Sequence, residues 1–339
     1  MMNWKSALKK AGLLTSIAAL GSVGLVAQTQ ANVYGRSYLD ISNLTISTVE
    51  GTTNNPVPGT FTFTLNTSSV LNSNPGTPGF DTCSNTGCTP AAVGDPIIDA
   101  LKSTVGADPS GENDFGFYGP GLAEYSRADA VVTSAQLATG SPSASEQIAE
   151  AELQTGINAL GNAGLDSVTN LTFSFVVAAN TNLIVDFDAI VDQLVDINDP
   201  SATSASVLSF VTTSMTLTQD NTDNTVSWNP NDVLAGAANC GDSTSNVLST
   251  VSCVSTASAA NLNKVIGVST IPVSSDANSG SGDFTGQFLL TTAGAYTLTL
   301  STTTRVTMNR TPIPEPASLL LLGTGLMGLG FARRRKAAA

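Results

Sequence analysis

The side chains of this sequence that could do chemistry are almost all carboxylates. Asp186 and Asp188 stand two apart in a stretch that alternates apolar and polar residues, so both project from one face of a strand, and Asp192, Asp196 and Asp199 follow. Asp220 and Asp223 bracket a polar turn. Two carboxyls roughly 5 to 9.5 Å apart, one with a pKa raised by burial, would suffice for glycoside hydrolysis. Clustered carboxylate oxygens are also the hard ligands that Ca²⁺ takes, which makes Asp186, Asp188, Asp220 and Asp223 the candidate cation ligands. The surroundings favour solvated acids over a hydrolase: aromatic platforms for sugar rings are scarce, with Trp4 and Trp228 the two tryptophans. Neither cluster matches the D-x-[DN]-x-[DN]-G loop of an EF-hand. No other cofactor is expected.

There is no histidine. That removes Ser-His-Asp and Cys-His arrangements, imidazole proton shuttles and histidine-containing zinc sites. Cys83, Cys88, Cys240 and Cys253 are even in number and lack the C-x-x-C knuckles of a zinc ribbon, so in an exported chain they read as disulfides, paired locally as Cys83 with Cys88 and Cys240 with Cys253.

Export is written at both ends. Lys5, Lys9 and Lys10 precede an apolar segment over 11–26, and Thr29-Gln30-Ala31 offers the small residues that a signal peptidase reads, giving a signal over 1–31 and a mature start at Asn32. An uncleaved N-terminal anchor is the competing reading. At the other end Pro314-Glu315-Pro316 leads into an apolar run over 317–332 and then Arg333-Arg334-Arg335-Lys336. As a helix that run would be roughly 24 Å long, short of the roughly 30 Å hydrocarbon core, so it would span with local thinning of the bilayer. The four cations would hold the C-terminus in the cytoplasm and leave everything upstream outside. A buried helix of a globular domain is the alternative, but the leucines surround this run instead of forming one stripe. Gly323-Thr-Gly325-Leu-Met-Gly328 spells the dinucleotide fingerprint, yet the eleven residues after Gly328 are too few for the βαβ unit that it requires.

This three-part tail resembles the PEP-CTERM sorting signal of exported proteins of Gram-negative bacteria. The resemblance implies that the tail, 312–339, is recognised by an exosortase and removed near Pro314-Glu315-Pro316, and that the protein serves at the surface or in an exopolysaccharide or biofilm matrix. It also implies transient anchoring in the inner membrane through the C-terminal helix.

Between the two signals, 32–311 forms a β-rich ectodomain. Its six cations are outnumbered by 25 acids, a net charge near −19, which excludes nucleic-acid binding by phosphate neutralisation. Thr, Ser, Asn, Val and Gly dominate and suit short strands and turns. Phe61, Phe63 and Leu65 alternate with threonines; Leu171, Phe173, Phe175 and Val177 do the same, and after Asn180-Thr181-Asn182 so do Leu183, Val185, Phe187, Ala189 and Val191, which predicts a hairpin. Met215 and Leu217, the turn 219–224, and Val226 and Trp228 predict a second. Phe284, Phe288 and Leu290 precede a connection at Gly294, with Tyr296, Leu298 and Leu300 beyond it. Ser143-Ala-Ser-Glu146 has capping-box spacing, and Ile148, Ala149, Leu153, Ile157 and Leu160 sit at helical intervals, which predicts one helix laid over the sheet. The stretch 127–137 reads equally as strand or helix, and 51–59 and 72–92 read as loops.

The expected fold is mainly β, a β-sandwich or jelly-roll-like ectodomain with one helical insertion; a two-domain split near Asp166 is the alternative. The expected function is a non-catalytic structural or adhesive surface protein, with a carbohydrate-binding module and a carboxylate-based glycan hydrolase as the other classes. Expected partners are the signal peptidase, an exosortase-type enzyme, the membrane before processing, and extracellular polysaccharide.

Overall fold

A computed structural model describes residues 32–50, 53–71, 74–75, 79–84, 91–93, 98–99, 115–121, 124–133, 142–154, 161–200, 202–222, 224–230, 251–255, 260–269, 271 and 273–312. The signal segment 1–31, the tail 313–339, Cys88, Asp223 and Cys240 lie outside the described residues.

In chain order the strands are β1 (Asn32–Glu50), β2 (Thr53–Pro56), β3 (Gly59–Leu71), β4 (Asn74–Pro75), β5 (Gly79–Ser84), β6 (Ala91–Val93), β7 (Ile98–Asp99), β8 (Tyr125–Thr133) and β9 (Ser143–Gln154). They continue as β10 (Gly161–Val177), β11 (Thr181–Asn198), β12 (Ala202–Gln219), β13 (Thr225–Trp228), β14 (Val251–Ser255), β15 (Lys264–Val268), β16 (Val273–Leu290) and β17 (Gly294–Pro312). All pairings are antiparallel. Sheet A runs β14-β16-β11-β1-β9-β8-β6, with β2 beside β1 and β7 beside β8; sheet B runs β13-β12-β17-β10-β3-β4, with β15 beside β12 and β5 beside β3.

The alternation seen in the sequence decides which side of each strand is buried. Phe61, Phe63 and Leu65 of β3, Leu171, Phe173 and Phe175 of β10, and Leu183, Val185 and Phe187 of β11 enter one core with Leu39 and Ile41 of β1 and Trp228 of β13, so residues of both sheets interdigitate face to face. A second apolar cluster, with Val33, Val195, Val207, Val306 and Met308, fills the other end. Between the two lies a polar belt. Ser37 Oγ of sheet A donates to Phe210 O of sheet B at 2.7 Å, and Ser209 Oγ of sheet B donates back to Arg36 O at 2.8 Å. Gln147 Nε2 donates to Thr302 Oγ1 across the same gap at 2.7 Å. Such bonds repay burial only when the facing strands hold one register, so the belt fixes how the sheets lie on each other. At Gly35 the sheets come so close that a Cβ would sit 2.8 Å from both Val207 Cγ2 and Val306 Cγ1.

Several expectations are corrected. Over its described residues the predicted helix is strand β9, with Ala149, Ala151 and Leu153 pointing into the core with period two and Glu146, Ile148, Glu150 and Glu152 on the other face; Ile157 and Leu160 lie outside the described residues. Both faces of β9 are covered, so its apolar residues run together and imitate a helical spacing. The predicted hairpin at Asn180 is a corner between sheets. β10 belongs to sheet B and β11 to sheet A, so Phe175 and Leu183 enter the core from opposite sheets instead of lying side by side. The connection at Gly294, which has φ of 154°, likewise carries the chain from sheet A to sheet B. The hairpin of β12 and β13 forms as expected, with Met215 opposite Trp228 and Leu217 opposite Val226. The stretch 127–137 is strand β8 as far as Thr133, the short strands β2, β4 and β5 lie within the stretches read as loops, and β6 begins at the end of the second. β10 passes through Asp166 without a break, paired on both sides.

Candidate functional site

Strand register places both ends of the body at one pole. Asn32 of β1 is level with Asn198 of β11, and the corner after Asn198 leads to Ala202, which pairs with Pro312 at the end of β17. At that corner Arg310 Nε donates to the carboxylate of Asp199, and both side chains are buried. The last strand is thereby fastened to the corner two residues before the tail begins. β17 has 19 residues and extends roughly 60 Å. Its other end, at Gly294, lies level with the corner at Asn180 and the turn of the β12–β13 hairpin.

Residues 312–336 match the family model of the PEP-CTERM protein-sorting motif. No curated protein and no solved structure matches the chain. The PEP-CTERM match begins at Pro312, the last residue of β17, and includes Pro314, Glu315, Pro316, Arg333, Arg334, Arg335 and Lys336. It marks an exported protein sorted through an exosortase and associated with the membrane during sorting. Among the described residues no helix is long and apolar enough to cross a membrane, and the apolar run 317–332 lies outside them.

The acidic residues singled out by spacing do not converge. Asp186 and Asp188 lie on the outward face of β11, half-exposed, with Asp188 directly opposite Asp283 of β16 and accepting from Asn43 Nδ2 of β1. Asp192 is held by Arg36 through both oxygens, at 3.0 and 2.9 Å. Asp220 is in the hairpin turn at the end of β12, where its Oδ1 accepts from Thr297 Oγ1 at 3.0 Å. Among the described residues no group of three or more His, Cys, Asp or Glu side chains is arranged to hold a metal ion. Cys83 lies on β5 and Cys253 on β14.

A different set of charged groups is brought together, and sequence spacing did not single it out. On the outward face of sheet A, Glu150 of β9 and Arg127 of β8 are both fully buried and paired, with Arg127 Nη2 3.0 Å from Glu150 Oε2. Glu150 also accepts from Tyr34 Oη at 2.6 Å, Gly119 N at 3.0 Å and Tyr118 N at 3.2 Å. Glu152 accepts from Asn32 Nδ2 at 2.9 Å and Gly121 N at 2.7 Å. The donors at 118, 119 and 121 belong to a strap, 115–121, that crosses this face. Its rings sit on arginines: Arg36 Cζ is 4.1 Å from the centroid of Phe117, and Arg127 Cζ is 3.9 Å from that of Tyr118. Gly119, at φ of 75°, supplies the left-handed conformation that the strap needs to aim its N–H at Glu150.

The electrostatics are those of a closed clamp. Burial first, and the Glu150 charge second, push the Tyr34 and Tyr125 phenols far up, so both stay protonated donors. With donors from Tyr34, Arg127 and the strap backbone on its two oxygens, Glu150 holds the strap down. The signal that could have found it is the run Glu146-x-Ile148-x-Glu150-x-Glu152, in which acids alternate with core residues as they do on a strand. Beside it, Asp40 of β1 faces Glu146 of β9, and burial followed by that neighbouring charge raises its pKa.

Proposed function

We propose that the protein is a non-catalytic structural or adhesive component of the cell surface or extracellular matrix, processed by an exosortase and associated with exopolysaccharide or biofilm. The observation that carries this reading is the placement of the sorting motif directly after β17, at the pole where Asp199 and Arg310 join. β17 runs from that pole to the opposite one, roughly 60 Å away. A body near −19 stays soluble and repels acidic polymers. The lack of histidine and the saturated acceptors of Glu150 support a role without catalysis.

A carbohydrate-binding module is the second reading, favoured by an open groove of about 310 Å³ at the far pole, lined by Pro58, Phe175, Val176 and Asp220 among others. The test of sorting is fractionation of producing cells. Replacing Arg333, Arg334, Arg335 and Lys336 with neutral residues should misorient the tail, and Glu315→Gln should leave anchored, unprocessed protein. Release of both variants into the medium as efficiently as the parent would contradict the proposal.

A further inference from the structure

We infer that the end of β17 is a latch on the sorting step: Arg310, Thr311 and Pro312 come away from β12 before the exosortase takes hold of Pro314-Glu315-Pro316, and the Asp199–Arg310 pair sets how often that happens. This rests on the reading of the tail as a processed sorting signal and adds to it a control exerted by the folded body.

The motif and the sheet share a residue. The matched motif begins at Pro312, and Pro312 is still the cross-strand partner of Ala202 on β12. In the sequence only Ile313 stands between Pro312 and Pro314, so the Pro-Glu-Pro begins at most ~7 Å from the last paired residue. An enzyme that acts within a chain grips it extended and bonds to its backbone N–H and C=O groups. On the body side of the motif those groups are already engaged by β12.

The last residues of β17 are held differently from the rest of the strand. As far as Arg310, which is opposite Gly161, β17 is paired with β10 on one side and β12 on the other. Among the described residues Thr311 and Pro312 pair with β12 alone. There the register slips by one: Thr311 is opposite Ser204, Pro312 is opposite Ala202, and the extra residue, Thr203, donates its hydroxyl to Thr311 O at 3.1 Å. A bulge of this kind marks where regular pairing gives out. Among the described side chains the last apolar one that β17 buries is Met308, so the segment beyond it opens without pulling an apolar group of its own strand out of the core. The fastenings that remain are polar: the Arg310 guanidinium on the buried Asp199 carboxylate, and the Thr203 hydroxyl on Thr311 O. Attack on a segment that opens and closes quickly follows the fraction of time it is open. These two fastenings therefore set the rate at which the folded protein is processed, with Asp199 and Arg310 as positioning residues.

The test is pulse-labelling of producing cells, following conversion of the full-length chain to the processed form in a cycle of variants whose folding is checked by thermal melts. An eight-residue Gly-Ser linker between Pro312 and Ile313, reaching roughly 16 Å, separates the motif from the sheet and should speed processing by about tenfold or more. Asp199→Asn with Arg310→Met should speed it by about tenfold, and Thr203→Ala by about two- to threefold. Should the double variant fail to fold, Thr203→Ala carries the same comparison. With the linker present, neither latch change should alter the rate, an insensitivity that a general loss of stability would not produce. Equal rates for the parent and the linker variant, or a latch effect that persists with the linker, would overturn the latch and leave sorting in place. A parent exported with Arg333 to Lys336 still attached would overturn the sorting reading, and this inference with it.

Discussion

Arg310 and Asp199 form a buried ion pair between the last strand and the corner leading into β12, directly before the sorting motif. The pair converts a chain terminus, ordinarily the first part of a domain to fray, into a fixed exit point. The end of β17 is thereby tied into the centre of sheet B, where β17 is flanked by β12 and β10.

Arg310→Met leaves the Asp199 charge buried without this partner, at a cost of about 3–5 kcal/mol. Denaturant melts should show the loss, and adding Asp199→Asn should recover part of it. Hydrogen exchange should rise first at the end of β17. A single variant as stable as the parent would mean that the pair fastens nothing.

The strap clamp makes a separate prediction. Arg127→Met removes the bonds to Glu150 and to Gly116 O and the stack on Tyr118. Breaking the buried pair should again cost about 3–5 kcal/mol. Limited proteolysis should now cut within 115–121. Resistance of the strap equal to that of the parent would show that the aromatic and backbone contacts hold it without the ion pair.

Asp40 gives the pH dependence a sign. Its folded pKa is raised, so the native state binds the proton more tightly than the unfolded chain. This contribution is fully present below the ordinary carboxylate range and is lost as pH rises through the raised value. Asp40→Asn should therefore raise the melting temperature at pH 7, with the advantage shrinking towards pH 3. Equal melting temperatures at pH 7 would contradict the opposition of Asp40 and Glu146.

The cysteines can be tested by non-reducing peptide mapping. Cys83, on β5, lies at the β3 end of sheet B, which covers β8 of sheet A; Cys253, on β14, lies at the opposite edge of sheet A. The strands between put them roughly 20 Å apart or more, far beyond disulfide reach. Local pairs, Cys83 with Cys88 and Cys240 with Cys253, are expected, each contributing at most about 3 kcal/mol. Recovery of a Cys83–Cys253 peptide would contradict the sheet order itself.

Legibility of the sequence followed the physics of alternation. Where one strand face met the core and the other met water, as in Phe61–Leu65 or Leu183–Val191, the buried residues could be picked out from the chain alone. Alternation names the buried side but not the neighbouring strand, which is why β10 and β11 looked like a hairpin. β1 and β9 were hidden because both of their faces are covered. Tyr34 and Glu150 are buried on the outward side beneath the strap, and Leu39 and Leu153 on the inward side. The Arg127–Glu150 clamp went unseen because its members are 23 residues apart and meet only through strand pairing. The sorting motif was readable because its recognition is linear, carried by residue order and not by a fold.

The central claim, that the tail is a processed sorting signal attached to a displayed β body, is tested most directly by mass spectrometry of the mature C-terminus of the exported protein. The account predicts a terminus close to Pro314-Glu315-Pro316, with Arg333–Lys336 absent from the exported form. An exported protein that still ends at Ala339 would contradict it.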